Sequence, residues 1–179
     1  MNTLVVYYSL SNNNELLAKE IYKQWDGNCD LYRIVETTKR SNLTILIDQL
    51  FNRIPRIKLN DFPVKEYDNY VFVAPVWMGK LASPLKAFLL KQKNKMKSYS
   101  FITICGGIDG QKEKLTAQLN ATIGYMPWMT IELRIDELHT KQVDAGVSKS
   151  HSHVTAKDFV FFQDEINELL KYDVAPSTV

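Results

Sequence analysis

Short apolar runs alternate with amphipathic segments along most of this sequence, and this alternation constrains the fold more than any other feature. Residues Thr3–Tyr8 and Tyr70–Ala74 are apolar on both faces, which is typical of strands at the centre of a parallel sheet. Between such runs, apolar residues recur at helical spacing and are followed by helix-terminating signals. This order of segments predicts an α/β domain whose parallel sheet carries helices on both faces.

The pattern predicts five strands and five helices in strict alternation. The predicted strands are Thr3–Tyr8, Asp30–Val35, Tyr70–Ala74, Phe101–Ile104 and Met129–Arg134. The fifth strand alternates between apolar and polar residues, as an edge strand does. Together with the number of strands, that alternation favours the strand order 2-1-3-4-5. We expect residues 1–173 to form one domain and residues 174–179 to be a frayed tail.

Capping residues mark where the predicted helices begin. The first helix runs from about Asn14, and the others begin near Ser41 or Asn42, Ser83, Gln111 and Thr155. Thr155 with Asp158 has the spacing of a capping box. The second helix has an apolar stripe that we expect to face the sheet; it consists of Leu43, Leu46, Ile47, Leu50 and Ile54.

Composition excludes several functional classes. The net charge is only +2, which is too small to indicate a nucleic-acid-binding protein. No apolar run approaches the ~18 residues of a membrane span, and the N-terminus lacks the features of a signal peptide. We therefore expect a cytoplasmic protein. Cys29 and Cys105 are too few for a disulfide framework, and they adjoin strands two and four, which are too far apart in the predicted sheet for the cysteines to pair.

The predicted strand order indicates where a ligand would bind. In open parallel sheets, ligands bind beyond the carboxyl ends of the strands, where the strand order reverses. Here that point lies between the first and third strands. Three loops should meet there: Ser9–Asn14, Pro75–Gly79 and Cys105–Gly110.

The first loop is short, polar and free of lysine and arginine. It consists of Ser9, Leu10, Ser11, Asn12, Asn13 and Asn14. Hydroxyls, amides and backbone N–H groups at a helix N-terminus can bind an anion without a basic side chain. An ordinary polar turn with a Ser or Asn cap would contain the same residues. The loop has neither the Walker pattern nor the glycine pattern of dinucleotide-binding loops.

The second loop contains a tryptophan beside a glycine. Its residues are Pro75, Val76, Trp77, Met78 and Gly79. Tryptophan offers a stacking surface for a planar ring, and glycine lets the backbone approach a heterocycle. Packing of Trp77 against the third predicted helix is an equally good explanation.

The third loop begins with Cys105, Gly106 and Gly107. Adjacent glycines after a buried strand permit close approach of the backbone to a ligand, although a simple turn would contain the same pair. Cys105 has no histidine or acidic partner that the sequence can assign. We expect it to be a small packing residue.

At these three loops the sequence resembles the flavodoxin family. Tyr8–Asn14 followed by Glu15–Ala18 is similar to the family's [ST]-x-[ST]-G-x-T phosphate loop and first helix. Ala74–Gly79, with Pro84–Phe88, is similar to its second flavin loop, and Cys105–Gly107 to its third. The resemblance covers residues 3 to about 135 and the C-terminal helix.

The resemblance implies a flavodoxin-like three-layer sandwich that binds FMN. The phosphate would lie on the first loop, and the isoalloxazine between the second and third. Trp77 would stack on the ring or border it, and Gly79 and Gly106–Gly107 would supply backbone contacts. Asn12 stands where the family usually has Gly, and Asn14 where it has Thr. Asn tolerates left-handed backbone better than most residues and its amide can donate to a phosphate, so we expect FMN binding to persist.

Three functions are compatible with this resemblance. Shuttle flavodoxins are typically acidic, whereas this chain has a net charge of +2, and Lys80 and Lys112 lie beside the ligand loops. The resemblance therefore favours an FMN-dependent NAD(P)H oxidoreductase that reduces a quinone or another small acceptor. An electron carrier with a redox partner protein is the alternative. An interaction module that has lost FMN is the third.

Residues 135–154 show no clear periodicity and predict a long loop at the flavin edge. Loops of this length in a compact domain are usually functional or disordered, so we expect it to shape a substrate or partner site. His139, His151 and His153 lie in it. A metal site would need a further ligand near them, and solvated histidines are the expectation.

Overall fold

The computed structural model describes residues 1–38, 40–59, 61–146 and 154–171. In chain order the strands are β1 (Asn2–Tyr7), β2 (Asn28–Arg33), β3 (Val35–Glu36), β4 (Ile57–Lys58), β5 (Asn69–Val73), β6 (Val76–Trp77), β7 (Lys80–Leu81), β8 (Ser98–Cys105) and β9 (Thr130–Arg134). The helices are α1 (Asn13–Gln24), α2 (Asn42–Phe51), α3 (Ser83–Gln92), α4 (Gln111–Ile123), α5 (Ile135–Asp144) and α6 (Gln163–Leu170). Short 3-10 helices cover Lys93–Lys95 and Ala156–Phe162.

Five of these strands form one parallel sheet in the order β2-β1-β5-β8-β9. In terms of the five predicted strands this is the order 2-1-3-4-5, so the predicted topology is confirmed. The register aligns Tyr7 of β1 with Val73 of β5, and Val73 with Ile102 of β8. The carboxyl ends of these three strands therefore lie at one edge of the sheet.

Alternate residues of the central strands pack against different helix layers. Leu4 and Val6 of β1 belong to a buried cluster with side chains of α3 and α4. Val5 and Tyr7 belong to a second cluster with α1, α5 and α6. A strand buried on both faces is continuously apolar, and this explains why the central strands could be recognised from sequence. The result is a three-layer sandwich.

Two short strand pairs lie outside the main sheet. β3 pairs with β4, and β6 pairs with β7, both antiparallel. The sequence analysis predicted neither pair, because two-residue strands are too short to show a period. The β6–β7 pair begins in the second predicted loop, ends two residues beyond it and determines its shape.

The prediction that the apolar stripe of α2 faces the sheet is wrong. Leu43, Leu46 and Leu50 are 65%, 43% and 60% exposed. The helix does begin at the predicted cap, where the Ser41 hydroxyl accepts a hydrogen bond from the Thr44 backbone. Polar contacts hold its inner side, since Asp48 accepts a hydrogen bond from Arg40 at 2.8 Å.

The prediction of a loop over 135–154 is wrong for its first half, which forms α5. This helix follows β9 directly and buries only Leu138 and Gln142, four residues apart. So narrow a buried face leaves little hydrophobic periodicity in the sequence. α5 starts at the edge where the three loops emerge, as expected for the loop. Residues 147–153 lie outside the described part of the chain.

The predicted capping box at the last helix is confirmed. Asp158 accepts hydrogen bonds from the Thr155 backbone and hydroxyl at 2.7 and 2.8 Å. The segment opens as a 3-10 helix before α6, and Phe159, Phe162 and Ile166 are buried. The tail expected at 174–179 lies outside the described residues.

Candidate functional site

The three loops expected to bind a ligand emerge together from the sheet. Beyond the aligned strand ends, the Tyr8 N–H donates to the Val73 carbonyl at 2.9 Å. Ser9 and Pro75 therefore leave neighbouring strands at the same level, and β8 continues to Cys105 beside them. This is the topological switch point, where ligands of open parallel sheets bind.

The first loop has the backbone of an anion-binding turn. Asn12 adopts φ 75°, in the left-handed region, and α1 begins immediately after it without a side-chain cap. The first-turn N–H groups of a helix have no partner within the helix, and they attract anions. Leu10 and Ser11 are exposed. Asn12 thus takes the conformation for which glycine is the default residue.

Ser9 carries a buried hydroxyl that is unsatisfied. Its Oγ has no hydrogen-bond partner among the described residues. Buried polar atoms are nearly always paired, so an unpaired one at a ligand edge indicates a partner that the protein chain itself does not supply. A phosphate oxygen would be a suitable acceptor for this hydroxyl.

Asn13 and Asn14 point into the protein. The Ile104 N–H donates to Asn14 Oδ1 at 3.0 Å, and Asn14 Nδ2 lies 3.5 Å from the Ile104 carbonyl. Asn13 Oδ1 accepts from the Val154 N–H at 3.3 Å. We expected the Asn14 amide to donate to a phosphate, but in this structure it ties α1 to β8. Contact with an anion is left to Ser9, Ser11 and the backbone.

The second loop is a tight turn between β6 and β7. Met78 and Gly79 have φ of 52° and 70°, and the exposed Met78 lies at the tip. Pro75 and Val76 are half-buried at its base. The Gln118 side chain spans the turn, donating to the Gly79 carbonyl and accepting from the Leu81 N–H, both at 3.1 Å. The turn is therefore anchored to α4.

Trp77 already has protein neighbours. Its ring meets the Tyr8 ring edge-to-face at a centroid distance of 5.8 Å, and the Arg40 guanidinium lies over it at 5.4 Å. The side chain is half-buried, so part of the indole stays open at the loop edge. Trp77 packs its own loop, and its open part can border a flat ligand.

The third loop has one open glycine and one enclosed glycine. A Cβ at the exposed Gly106 would meet no atom within 4 Å, which leaves space for a ligand against the backbone. Gly107 has φ 80°, and a Cβ there would clash with the Arg134 side chain. The first glycine is therefore suited to contact, and the left-handed backbone of the second favours glycine.

Cys105 is a packing residue, as expected. It is buried, and Gln111 Nε2 donates to its Sγ at 3.4 Å. Burial raises the pKa of the thiol, although hydrogen bonds from Gly107 and Gln111 oppose that effect. A raised pKa makes a thiol a poorer nucleophile. Neither cysteine forms a disulfide, as predicted.

A buried ionic network beside Trp77 escaped the sequence analysis. Tyr8 Oη donates to Glu36 at 2.8 Å, Arg40 pairs with both Glu36 and Asp48, and Ser83 Oγ lies 3.4 Å from Asp48. Burial and the neighbouring Glu36 raise the pKa of Tyr8. Burial alone would lower the pKa of Arg40, but its hydrogen bonds to the two carboxylates raise it above its ordinary value. No sequence motif predicts these long-range pairings.

Metal and membrane sites have no support in the described residues. Among them, no three histidine, cysteine or acidic side chains are grouped so that they could hold a metal ion. His139 lies on α5, while His151 and His153 are outside the described ranges. Within those same ranges no helix is both long and apolar enough to span a bilayer.

The residues at this edge fit a flavin mononucleotide. The unpaired Ser9 hydroxyl and the uncapped N-terminus of α1 suit its phosphate. The open Gly106 and the exposed part of Trp77 leave room for the edge of a planar ring. The inward-facing Asn14 does not contribute to this fit.

Sequence comparisons and structural comparisons give different results. No protein-family model matches the sequence, and no curated protein sequence matches it. The crystal structure of a flavoprotein in complex with FMN from Lactobacillus acidophilus NCFM matches with a TM-score of 0.62 and 22% identity, over 80% of this chain and 97% of that one. A putative flavoprotein from Bacteroides uniformis ATCC 8492 matches with a TM-score of 0.64 and 14% identity, over 95% of this chain and 97% of that one. A putative flavoprotein from Bacteroides eggerthii DSM 20697 matches with a TM-score of 0.60 and 17% identity, over 82% of this chain and 99% of that one.

These three structures match almost along their whole length. At identities below 25% the similarity concerns the fold, and it agrees with the parallel strand order β2-β1-β5-β8-β9. This chain has the flavodoxin-like fold.

Proposed function

We propose that this protein binds FMN and acts as an NAD(P)H-dependent FMN oxidoreductase that reduces a quinone or another small acceptor. The observation that carries FMN binding is the buried Ser9 hydroxyl with no partner among the described residues. It lies beside the uncapped N-terminus of α1, at the switch point of the sheet. The similar fold of the Lactobacillus acidophilus flavoprotein, which was crystallised with FMN, supports the same assignment.

The chain's own residues would bind and orient the cofactor. Ser9 Oγ and the first-turn N–H groups of α1 would hold the phosphate, and the left-handed Asn12 forms the turn that leads into that helix. Gly106 would allow the backbone to approach the ring, and Trp77 would border it. FMN would provide the redox chemistry, by accepting a hydride and passing electrons on. Burial and hydrogen bonds from the protein would tune the reactivity of the flavin.

FMN titration of wild type and two serine variants tests the binding site. Ser9→Ala should weaken FMN binding about tenfold or more, because a hydrogen bond to a charged group is lost. Ser100→Ala is the matched control, since Ser100 Oγ is also buried and unpaired among the described residues. Ser100 lies about 16 Å along β8 from Cys105. Equal affinities of all three proteins would remove Ser9 from the site.

Enzyme and carrier differ in how the flavin is reduced. Lys80 and Lys86 lie around the second loop, and a basic surface there suits an anionic nicotinamide cofactor better than it suits a basic partner protein. Anaerobic stopped-flow mixing of the FMN-loaded protein with NADH or NADPH should reduce the flavin within seconds. If neither nucleotide reduces the flavin, the electron carrier, which is reduced by a partner protein, becomes the better assignment.

The third function is an interaction module without a cofactor. Purified protein that stays colourless after incubation with excess FMN would favour it and end the oxidoreductase proposal. We also propose the cytoplasm as the compartment, because two cysteines that form no disulfide fit a reducing environment.

A further inference from the structure

A second concave site lies next to the candidate flavin loops. It is a cavity of about 350 Å³ between the end of α2, the β6–β7 turn and the start of α3. That volume is at the lower end of the roughly 300–1,000 Å³ typical of small-molecule pockets. None of the residues assigned to FMN lines it.

The cavity is lined by three basic side chains and one acidic side chain. Arg53, Lys80 and Lys86 face a single carboxylate, that of Asp48. Asp48 is paired with Arg40 at 2.8 Å, so its charge is already compensated. Within the described parts of the chain, neither Arg53 nor Lys86 forms an ion pair with a carboxylate. The cavity therefore has uncompensated positive charge.

The N-terminus of α3 adds to the positive charge of the cavity. Ser83, its first residue, lines the cavity, and the preceding Ala82 provides no side-chain cap. The N-terminus of a helix carries partial positive charge. Together with the guanidinium of Arg53 and the ammonium of Lys86, it suits an oxyanion, and a phosphate above all.

Gln118 connects this cavity with the flavin loops. Its side chain lines the cavity and holds the Gly79 carbonyl and the Leu81 N–H at 3.1 Å each. Gly79 and Trp77 belong to the same turn. A ligand in the cavity would therefore lie beside the turn that carries Trp77 and Gly79.

We propose that this cavity binds a phosphate group of the co-substrate, and that the co-substrate is a pyridine nucleotide. The inference rests on the proposed function, because it assigns one end of the nucleotide that would reduce the flavin. Arg53 and Lys86 bind the phosphate, and Gln118 couples its binding to the Trp77–Gly79 turn.

Calorimetric titration of the full chain with inorganic phosphate, NAD⁺ and NADP⁺ tests the site without measuring activity. Phosphate and at least one nucleotide should bind saturably, and their affinity should fall as salt is added. The double variant Arg53→Gln/Lys86→Gln should weaken nucleotide binding tenfold or more. Lys91→Gln, on the exposed side of the same helix α3, should change it less than twofold.

Each outcome decides the proposal. Tighter binding of NADP⁺ than NAD⁺ assigns the cavity to the 2′-phosphate, and equal affinities assign it to the pyrophosphate. Binding of phosphate but of neither nucleotide overturns the proposal, as does nucleotide binding that the double variant leaves unchanged while its thermal unfolding stays normal. The titrations use the chain without FMN, so failure of FMN to bind would be recorded separately and would reject only the proposed function.

Discussion

Asn14 Oδ1 accepts a hydrogen bond from the Ile104 N–H at 3.0 Å and so joins the start of α1 to the strand that leads into the third loop. Both residues are buried. The bond connects a helix and a strand whose residues lie 90 positions apart in the chain. Because FMN would lie against the loops that adjoin both elements, this contact would help to set the width of the site.

Asn14→Ala should therefore lower both stability and FMN affinity. Removing the amide leaves the buried Ile104 N–H without an acceptor, which costs about 1–3 kcal/mol. Urea unfolding measures the loss, and fluorescence titration measures FMN affinity. Asn94→Ala, at an exposed position, is the matched control and should stay within about 0.5 kcal/mol of wild type. Equal stability of the two variants would contradict the role of this bond.

The left-handed Asn12 makes a second prediction about the first loop. At φ 75°, an alanine should cost about 1 kcal/mol, because its Cβ crowds the following carbonyl oxygen. Asn12→Gly should preserve or increase stability, and it should keep FMN affinity, since only the backbone conformation is needed. Thermal unfolding of the two variants compares them directly. An alanine variant as stable as the glycine variant would show that the turn relaxes to another conformation.

Alanine at Gly107 should lower stability, whereas alanine at Gly106 should lower FMN affinity. Gly107→Ala puts a side chain on left-handed backbone at φ 80° and against the Arg134 side chain, so it should cost about 1–3 kcal/mol. Gly106→Ala meets no atom within 4 Å and should leave urea unfolding nearly unchanged. It should lower FMN affinity, because the new methyl group takes up space that the ring edge would use. Unchanged FMN affinity in Gly106→Ala would place the flavin away from the third loop.

The sheet could be predicted because its strands are buried on both faces. Leu4 and Val5 face different layers, yet both have to be apolar, so β1 is visible as a continuous run. The three ligand loops followed from strand order alone. The left-handed Asn12 fits the residue's known tolerance for that conformation.

The ionic network and the orientation of α2 could not be predicted, for physical reasons. Glu36, Arg40 and Asp48 pair through tertiary contacts, and a charged residue in a sequence carries no sign of its partner. An apolar stripe has the same spacing whether it faces a core or a solvent-exposed surface. Leu43 and Leu50 therefore predicted burial that the structure does not show.

The exposed stripe of α2 leads to a stability prediction. Leu50 is 60% exposed, whereas Leu85 of α3 is 0% exposed. Leu50→Ala should change the free energy of unfolding by less than about 0.5 kcal/mol, and Leu85→Ala should cost about 2–5 kcal/mol. Urea denaturation of both variants provides the comparison. A large loss in Leu50→Ala would mean that α2 packs its stripe inward in solution.

Buried tyrosines should make the fold sensitive to alkali. Burial raises the pKa of Tyr99, whose hydroxyl donates to the Tyr125 carbonyl at 2.7 Å. Burial and Asp30 raise the pKa of Tyr67.

The folded state thus holds these phenol protons more tightly than the unfolded chain does. Their contribution to stability is complete below the unfolded pKa of about 10 and is lost as pH rises through the raised values. The urea midpoint should therefore fall as the pH rises above about 10. Tyr99→Phe should make that fall shallower, and Tyr22→Phe, at an exposed position, should leave it unchanged. Identical pH profiles for all three proteins would show that Tyr99 ionises as freely in the fold as it does in the unfolded chain.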